Sequence, residues 1–450
     1  MENSKKLFIL SLGCPKNLVD SEVMLGRLQV AGYSVCQTPE EADLLLVNTC
    51  GFIQSAVEEG IDEILSLVRI KEQYPPKLLV VTGCLVQRYG LKLQQELPEV
   101  DYFLGTEGFD EIVARIGDLK PGVRQSQIIL PPSTFIMKDT TPRLISTPRH
   151  RAYLKITEGC ANRCSFCMIP SIRGRLRSRT TGDLIKEAKR LDEAGVKELT
   201  LIGQDLTSYG LDLGPKEASL PGLLKKLVDE TAVPWIRLLY LFPTRVDETL
   251  LDLIADQPRL VPYLDIPLQH VSPKILRAMN RPSDRILIDL LMKKIRDRLD
   301  PVAIRTTFMV GFPGETEEDV RQLEDFIRSH RLNHVGIFTY SNEEGCAAEN
   351  MPDQINEDVK EERRSRLMEL QAEVSLEQNL KQVGKKMRVL VEGESRETDL
   401  LLEGRTMFQA PEIDGCVYIN DGVCNPGDFV DVQITEAHAY DLVGSIAETE

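Results

Sequence analysis

Long apolar runs are missing from this 450-residue chain. Nowhere do eighteen apolar residues follow one another, which is about the length that a membrane-spanning helix needs. The first ten residues contain one short apolar run, Leu7 to Leu10, and this is too short for the apolar core of a signal peptide. We therefore expect a cytoplasmic protein. In that compartment the ten cysteines are expected to be metal ligands or free thiols rather than disulfides.

The bulk composition sets the class of protein. Hydrophobic residues make up 42% of the chain and charged residues 28%, the values of an ordinary soluble globular protein. A chain of 450 residues is too long for one hydrophobic core, and its length alone suggests about three domains.

A compact cysteine triplet follows the apolar run at 152–157. It reads Cys160-Ala-Asn-Arg-Cys164-Ser-Phe-Cys167. Three thiolates at this spacing, without a fourth cysteine nearby, suit a [4Fe–4S] cluster that leaves one iron open for a small ligand. A structural zinc site is the alternative, but such sites usually have four protein ligands with paired CxxC or Cys/His spacing. Histidine is scarce, and none lies between His150 and His270.

Three further cysteines each end a short apolar run that predicts a buried strand. They are Cys14, Cys50 and Cys84. Helix-like segments at 20–31 and 54–71 separate the runs, which predicts parallel strands joined by right-handed crossovers. All three thiols then meet at the sheet edge where open α/β sheets bind ligands, and this favours a second cluster. The alternative is inert core cysteines, our interpretation of Cys36, Cys346, Cys416 and Cys424.

The remaining pattern divides the chain into an α/β fold with a terminal β domain. Five prolines between 121 and 150 predict a linker. Alternating strand-like and helix-like runs follow, which predict a complete or partial βα barrel with its active site at the carboxyl ends of the strands. Residues 357–383 predict a helix, and the short alternating runs from Lys386 onward predict a small antiparallel β-barrel. We place the N-terminal parallel α/β sheet domain at 1–125, the linker at 126–147, the barrel with its exit helix at 148–380 and the terminal barrel at 381–450.

Together these features resemble the radical S-adenosylmethionine (SAM) methylthiotransferases across nearly the whole chain. CxxxCxxC is the spacing typical of radical SAM enzymes. Segments 158–174, 311–316 and 340–345 look like the family's cluster loop, its SAM-contacting glycine turn and its last barrel segment. The stretch SLGCPKNLVDSE at 11–22 is similar to the type that modifies an aspartate of the twelfth small-subunit ribosomal protein. The tRNA-modifying type usually has a different stretch after its first cysteine.

The resemblance implies a TIM-like central barrel, a TRAM-like terminal barrel, SAM and two [4Fe–4S] clusters. It assigns a SAM-cleaving cluster to Cys160, Cys164 and Cys167, and an auxiliary cluster with its own open iron to Cys14, Cys50 and Cys84. A methyl group from one SAM would reach sulfur on the auxiliary cluster. A radical from a second SAM would then take hydrogen from the aspartate β-carbon, which captures the methylthio group. A flavodoxin or ferredoxin is the expected kind of electron donor.

Candidate SAM contacts are Gly311, Gly314 and Gln204. The two glycines follow a predicted strand and could let the backbone approach SAM closely, with a plain strand-to-helix turn as the alternative. Gln204 and Asp205 follow another strand, where the catalytic groups of barrels lie, although a helix cap would explain them equally well. His270 is either polar core or part of the barrel mouth, and we assign it no role.

The charge distribution bears on the substrate. Residues 381–450 contain six Lys/Arg and fourteen Asp/Glu, a net charge of −8. Nucleic-acid affinity depends largely on Lys and Arg, so this domain fits a basic ribosomal protein better than tRNA. The alternative is that the acidity only keeps a chain of net charge −16 soluble. Residues 143–179 hold nine Lys/Arg and one acid, Glu158, and this basic stretch could contact RNA, SAM's carboxylate or a substrate aspartate. A tRNA methylthiotransferase and a non-catalytic iron–sulfur or ribosome-assembly protein therefore stay as alternatives.

Overall fold

The computed structural model describes residues 5–119, 126–130, 134–214, 218–398 and 400–447. These residues form a six-stranded parallel sheet, a second six-stranded parallel sheet and a closed five-stranded barrel, in that order along the chain. None of the described helices has both the length and the apolar character needed to cross a membrane.

The first unit is an open α/β sheet with strand order β2-β1-β3-β4-β5-β6, all parallel. Strands β3 and β4 are buried at every position, as their continuous Leu and Val runs predict. The elements are β1 (Lys5–Ser11), α1 (Pro15–Val30), β2 (Tyr33–Val35), β3 (Leu44–Thr49), α2 (Gln54–Gln73), β4 (Leu78–Gly83), α3 (Cys84–Glu96), β5 (Tyr102–Leu104), α4 (Ile112–Asp118) and β6 (Gln127–Ile129).

The position of β6 differs from the predicted boundary. Residues 126–147 were expected to be linker, but β6 pairs with β5 in parallel and forms the edge strand of the first sheet. The backbone of these residues forms hydrogen bonds with β5, whereas the proline-rich composition of the segment predicts a loop. The first sheet therefore extends beyond residue 125.

The second unit is a partial barrel in which six parallel strands alternate with helices, in the order β14-β13-β12-β11-β10-β7. Its main apolar core lies between these strands and the helices outside them. The elements are β7 (Arg151–Lys155), β8 (Thr157–Glu158), α5 (Ile169–Arg173), β9 (Arg177–Ser178), α6 (Thr181–Glu193), β10 (Glu198–Ile202), α7 (Leu220–Glu230), β11 (Trp235–Leu238), α8 (Glu248–Asp256), β12 (Leu260–Asp265), α9 (Pro273–Ala278), α10 (Arg285–Arg298), β13 (Ala303–Val310), α11 (Glu317–His330), β14 (His334–Thr339) and α12 (Glu357–Leu380).

The third unit is a closed barrel with strand order β15-β16-β17-β19-β18. Four of its five pairings are antiparallel, as expected, but β17 and β19 pair in parallel. The alternating apolar residues that point inward form a small core of their own. The strands are β15 (Lys386–Glu394), β16 (Leu402–Thr406), β17 (Val417–Asp421), β18 (Phe429–Ala437) and β19 (Leu442–Ile446).

The terminal barrel docks at the amino ends of the central strands. Arg405 on β16 donates to Glu198, the first residue of β10, at 2.7 Å. Arg237 donates to the same carboxylate at 2.5 Å. Trp235, which begins β11, packs edge-on against Phe429 with ring centroids 4.8 Å apart. The terminal barrel therefore lies at the end of the central strands opposite to the one where barrel active sites are found.

Candidate functional site

Cys14, Cys50 and Cys84 lie at the carboxyl ends of three adjacent strands. Cys14 directly precedes α1, Cys50 follows β3, and Cys84 is the first residue of α3. The register pairs Thr49 with Gly83, so β3 and β4 end at the same level. The crossover pattern of the sequence requires this arrangement, because parallel strands end at a common edge.

Close approach of the chain brings these three cysteines together. Gly13 has a φ of +89°, and a Cβ at this position would lie 2.7 Å from the Cβ of Cys50. Asn17, in the first turn of α1, donates to the backbone oxygen of Thr49 at 2.9 Å. The Sγ of Cys84 lies 3.7 Å from the Oδ1 of the same asparagine. One glycine and one buried amide therefore hold the three strand ends against each other.

The CxxxCxxC segment forms a loop between β8 and α5. The backbone N–H of Asn162 donates to the Sγ of Cys160 at 3.4 Å. Arg281, which follows α9, donates to the Sγ of Cys164 at 3.5 Å. Hydrogen bonds to sulfur stabilise thiolate ligands, so this loop is equipped to present its cysteines as a set.

The two cysteine sets face each other across one cavity of about 320 Å³. The carboxyl edge of the first sheet forms one wall, and the carboxyl end of the central barrel forms the other. All six predicted cysteines line it, namely Cys14, Cys50, Cys84, Cys160, Cys164 and Cys167. The other four cysteines are not among its lining residues.

The donor set of the cavity fits iron–sulfur clusters. All ten cysteines are free thiols, and thiolates are the ligands that such clusters take. Two sets of three thiols suit two clusters, each with one iron that lacks a protein ligand.

The thiols differ in how readily they ionise. Burial raises the pKa of Cys84 to about 12 and that of Cys167 to about 12. Burial acts on Cys14 as well, but the positive charges of Lys16 and Arg173 outweigh it and lower its pKa. Metal binding therefore has to displace protons from at least the two buried thiols, as is general for thiolate ligation.

A buried ionic network connects the two walls of the cavity. Arg173, at the end of the cluster loop, donates to Asn17 at 2.6 Å, to Asp20 at 2.9 Å and to Glu158 at 3.1 Å. Lys155 bonds to both of these carboxylates. The pKa of Glu158 is lowered to about 2, because Lys155 and Arg173 outweigh the effect of burial. This network sets the spacing between the two cysteine sets.

Sequence reasoning missed this network. Its acids and bases come from segments that the motifs already singled out, but charges that pair in the fold leave no periodic signal in the sequence. The nearest signal is the presence of two acids, Asp20 and Glu22, in the stretch that follows Cys14. Glu22 is also buried, and Arg143 donates to it at 2.6 Å.

Gln204 and Asp205 both line the cavity, at the end of β10 as the sequence predicts. The carboxylate of Asp205 is occupied by the protein itself. Asn162 donates to it at 2.8 Å and Arg245 at 2.7 Å. Asp205 therefore holds the cluster loop, whereas SAM contact by Gln204 stays a prediction.

Gly311 and Gly314 do not line this cavity. Both have positive φ angles, +75° and +78°, in the turn between β13 and α11. A Cβ on Gly311 would lie 2.2 Å from the Cγ of Lys360, whereas one on Gly314 would meet nothing within 4 Å. Turn conformation and packing account for both glycines in the structure, and their contact with SAM stays a prediction.

His270 is fully buried and does not line the cavity either. Its Nδ1 accepts hydrogen bonds from the backbone N–H groups of Val271 and Ser272, both at 2.9 Å. Its other ring nitrogen lies 3.4 Å from Glu315. Of the two alternatives for this residue, the structure favours polar core.

The basic stretch at 143–179 is largely neutralised inside the molecule. Six of its nine cations form ion pairs with acids of the chain, and these are Arg143, Arg151, Lys155, Arg173, Arg177 and Arg179. Their partners come from all three units, for example Glu107 in the first and Glu412 in the third. The stretch therefore joins the units rather than presenting a continuous basic surface.

Three family models match the chain, one for each unit. The uncharacterized protein family UPF0004 matches residues 6–105. The Radical SAM superfamily matches residues 154–327, and the TRAM domain matches residues 383–447.

Relatives are similar over the full length of the chain. "Ribosomal protein uS12 methylthiotransferase RimO" of Desulfotalea psychrophila is 54% identical over 99% of this chain and 100% of the relative. The protein of the same name from Myxococcus xanthus is 47% identical over 99% of this chain and 92% of the relative.

Among solved structures, the fold is similar to the radical SAM methyltransferase TsrM from Kitasatospora setae, determined with cobalamin and a [4Fe-4S] cluster bound. The TM-score is 0.57 at 16% identity, covering 75% of each chain. The same protein with its tryptophan substrate and a SAM analogue gives a TM-score of 0.55 at 17% identity, covering 74% of this chain and 73% of that one. At such identities the likeness shows a shared fold.

Proposed function

The chain belongs to the radical SAM methylthiotransferases of the ribosomal protein uS12 (RimO) family, and from this membership we propose how its cavity carries out the reaction. It is a methylthiotransferase that uses SAM and a [4Fe–4S] cluster. Its substrate is uS12, the twelfth small-subunit ribosomal protein. The modified position is the β-carbon of an aspartate, and a second [4Fe–4S] cluster takes part.

The convergence of six thiols on one cavity carries this proposal. Cysteines from strands of the first sheet and from the loop of the central barrel line the same space of about 320 Å³. A protein that only stored or carried a single cluster would not need two such sets facing each other. Clusters held in opposite walls of one cavity would suit a reaction that joins two groups in the space between them.

The assignment of ligands follows the two walls. Cys160, Cys164 and Cys167 would hold the SAM-cleaving cluster in the barrel wall. The three strand-end cysteines would hold the auxiliary cluster in the opposite wall. When bound, the two clusters and SAM supply the radical that removes a hydrogen atom and the methylated sulfur that replaces it.

The chain's own residues orient the partners and keep water out. Phe52, Phe166 and Phe242 contribute apolar side chains to the cavity wall, which limits side reactions of a radical with solvent. The buried network around Arg173 connects α1 with the cluster loop, so the distance between the reacting centres is set before substrate arrives.

The charge of the surface favours a protein substrate over tRNA, the second candidate. The terminal unit has a net charge of −8, and contact between like charges is unfavourable for RNA binding. Most cations of the basic stretch are already paired inside the molecule. A basic ribosomal protein fits this surface better. A flavodoxin or ferredoxin stays the predicted class of electron donor.

Anaerobic mass spectrometry tests the proposal. The reconstituted enzyme is mixed with SAM, a reductant, uS12 and tRNA in one reaction. We expect a methylthio group on the uS12 aspartate and none on tRNA. An adduct found only on tRNA adenosine would refute the substrate assignment, and SAM cleavage with neither adduct would refute the methylthiotransferase proposal.

A further inference from the structure

Three cationic side chains line the cavity between the two cysteine sets, namely Lys16, Arg173 and Arg281. Two of them are already bonded to protein acceptors. Arg173 donates to Asp20 and Glu158 at 2.9 and 3.1 Å, and Arg281 donates to the carbonyl oxygen of Pro267 at 2.6 Å. Arg173 thus joins the two walls. Arg281 is bonded within the barrel wall, where it also donates to the Sγ of Cys164, so both side chains are already engaged by the protein.

Lys16 is different. It lies in the first turn of α1, two residues after Cys14, and its exposed fraction is 5%. Its Nζ lies 3.5 Å from the centroid of the Tyr240 ring. No carboxylate within the described ranges forms an ion pair with it; the acids nearest in sequence, Asp20 and Glu22, are bonded to other cations. The Cys14 thiolate is a nearby negative charge of the protein, but the ammonium is not hydrogen-bonded to any described carboxylate. A buried ammonium needs hydrogen-bond acceptors, and here the cavity is where a ligand can supply an anionic one.

Tyr240 is held in place by an unusual backbone conformation. It follows β11 at the mouth of the central barrel, and its φ is +66°, in the left-handed region that non-glycine residues avoid. Its N–H donates to Asp265 at 3.0 Å, and its carbonyl oxygen accepts from the N–H of Leu206 at 2.9 Å. Such conformations persist where surrounding bonds determine them, typically at functional sites. Here the result is an aromatic ring from one wall placed under the ammonium of the other wall.

We propose that Lys16 binds the side-chain carboxylate of the substrate aspartate, with the Tyr240 ring supporting the ammonium from the barrel side. This inference rests on the proposed function. The carboxylate is bonded directly to the β-carbon, so a cation that fixes the carboxylate also fixes the carbon from which hydrogen is taken. SAM carries a carboxylate too, but an α-ammonium group beside it balances that charge. The side chain of the substrate aspartate carries a carboxylate without such a neighbouring cation, so it is the better partner for the Lys16 ammonium.

A binding measurement with paired peptides tests the assignment before any chemistry occurs. The holoenzyme with both clusters and SAM, but without reductant, is titrated with a peptide from the modified loop of uS12 and with the same peptide carrying Asn in place of Asp. We expect the wild-type enzyme to bind the Asp peptide about 10-fold to 100-fold more tightly, as for a charge-assisted hydrogen bond. Lys16→Met should remove this preference.

Two further variants make the measurement specific. Lys16→Arg keeps the charge and should keep most of the preference for Asp. Lys92→Met removes an exposed lysine from α3 of the same unit and should leave both affinities unchanged. Equal weakening of both peptides by Lys16→Met would overturn the assignment, because it would mean that Lys16 serves packing or the charge of a cluster. Loss of iron from Lys16→Met, or a wild-type enzyme that does not discriminate between the peptides, would also overturn it.

Adding reductant separates this inference from the function on which it rests. A wild-type enzyme that forms the methylthio product while Lys16→Met leaves the Asp preference intact would refute only the role of Lys16. A wild-type enzyme that cleaves SAM but leaves both uS12 and the peptide unmodified would refute the proposed function itself.

Discussion

At Cys14 two physical effects oppose each other. Burial disfavours its thiolate, and the neighbouring charges of Lys16 and Arg173 favour it, with a net lowering of its pKa. At Cys84, on the same sheet edge, burial outweighs the favourable charge of Arg173 and raises the pKa to about 12. Thiols at the same sheet edge thus lose their protons to a metal at different free-energy cost.

Replacement of Cys14 by alanine tests the division of labour between the two sets. Cys14→Ala removes one of three ligands from the auxiliary set and none from the barrel set. We expect formation of 5′-deoxyadenosine from SAM to continue while methylthiolation of uS12 falls below detection. Mass spectrometry of uS12 and chromatography of the SAM products measure both quantities in the same reaction.

Cys36→Ala is the matched control, because Cys36 belongs to the same unit but does not line the cavity. It should retain iron and full product yield. A normal yield of methylthio product from Cys14→Ala would show that the strand-end cysteines are not required.

At the scale of the element, each functional cysteine of the first sheet depends on a strand-to-helix turn. The turn between β4 and α3 passes through Gly83, whose φ is +102°. A Cβ there would lie 2.4 Å from both the side-chain oxygen of Asn48 and the backbone oxygen of Thr49. The absence of a side chain is what allows β4 to end level with β3 and to place Cys84 at the edge.

Gly83→Ala should therefore disturb the site without removing a ligand. We expect it to lower the free energy of unfolding by more than about 1 kcal/mol, because alanine is strained at positive φ and the added Cβ has no room. Chemical denaturation measures the stability, and iron content measures the site. Gly182→Ala, at an exposed position in α6 where a Cβ would meet nothing within 4 Å, should instead raise stability by up to about 1 kcal/mol. Equal effects of the two substitutions would contradict this account.

At the scale of the whole molecule, the three units are joined by buried charge as well as by apolar packing. One shared apolar cluster contains residues of all three, such as Leu7, Tyr153 and Leu390. Ion pairs reinforce it at both ends of the central barrel: the network around Arg173 lies at the cavity, and Glu198 with Arg405 lies at the opposite end. Because these ion pairs are buried, protonation of their carboxylates should weaken the contacts between the units.

Acid should release the terminal barrel. Burial raises the pKa of Glu198, but Arg237 and Arg405 outweigh it and lower the value to about 2. A group with a lowered pKa in the folded state stabilises the fold above its ordinary value of 4.5, and this stability is lost as the pH falls from 4.5 to about 2. Trp235 is the single tryptophan and contacts Phe429 of the terminal barrel, so its fluorescence reports docking during urea titrations in this pH range.

Glu198→Gln is the informative variant for this experiment. It should weaken docking near neutral pH, because Arg237 loses its carboxylate partner and Arg405 keeps only Glu392. It should also flatten the dependence of stability on pH by up to about 1.4 kcal/mol per pH unit. Acid also destabilises the iron–sulfur clusters, and this effect is the same in every variant. Glu59→Gln on α2 is the control that shows it without any change at the docking contact. The same pH dependence in Glu198→Gln as in wild type would contradict the role of this carboxylate.

The acidic surface of the terminal barrel is expected to act on substrate at a distance. The barrel lies at the amino ends of the central strands, about 20 Å from the cavity, as the length of a six-residue strand requires. Reversal of three exposed acids, Glu394, Asp421 and Glu436, to lysine should weaken binding of intact uS12 at low salt. It should not change binding of a short peptide that reaches only the cavity.

A second triple reversal separates a local surface from total charge. Glu59, Asp62 and Glu72 on α2 are also exposed, and their reversal changes the net charge by the same amount. If both triple variants weaken uS12 binding equally, the acidity acts only through the overall charge of −16. Unchanged binding in the first variant would remove the terminal barrel from substrate recognition.

Sequence alone determined the features that depend on local order and on side-chain chemistry. The strand-then-cysteine runs placed Cys14, Cys50 and Cys84 at one edge, since parallel strands end together. The CxxxCxxC spacing identified the loop of the barrel, and the change to short alternating runs after residue 385 identified a terminal β-barrel. The fold class required no more than periodicity, because it follows from which elements alternate along the chain.

Only the tertiary structure decided what lies between those elements. Lys155 and Asp20 are 135 residues apart, and Arg405 and Glu198 are 207 residues apart, yet these pairs align the cavity walls and dock the terminal barrel. The tertiary structure likewise placed the Tyr240 ring next to the ammonium of Lys16, made β6 the edge strand of the first sheet and packed Gly311 against Lys360. Contacts of this kind have no period and no motif, because they depend on how separate surfaces meet in space.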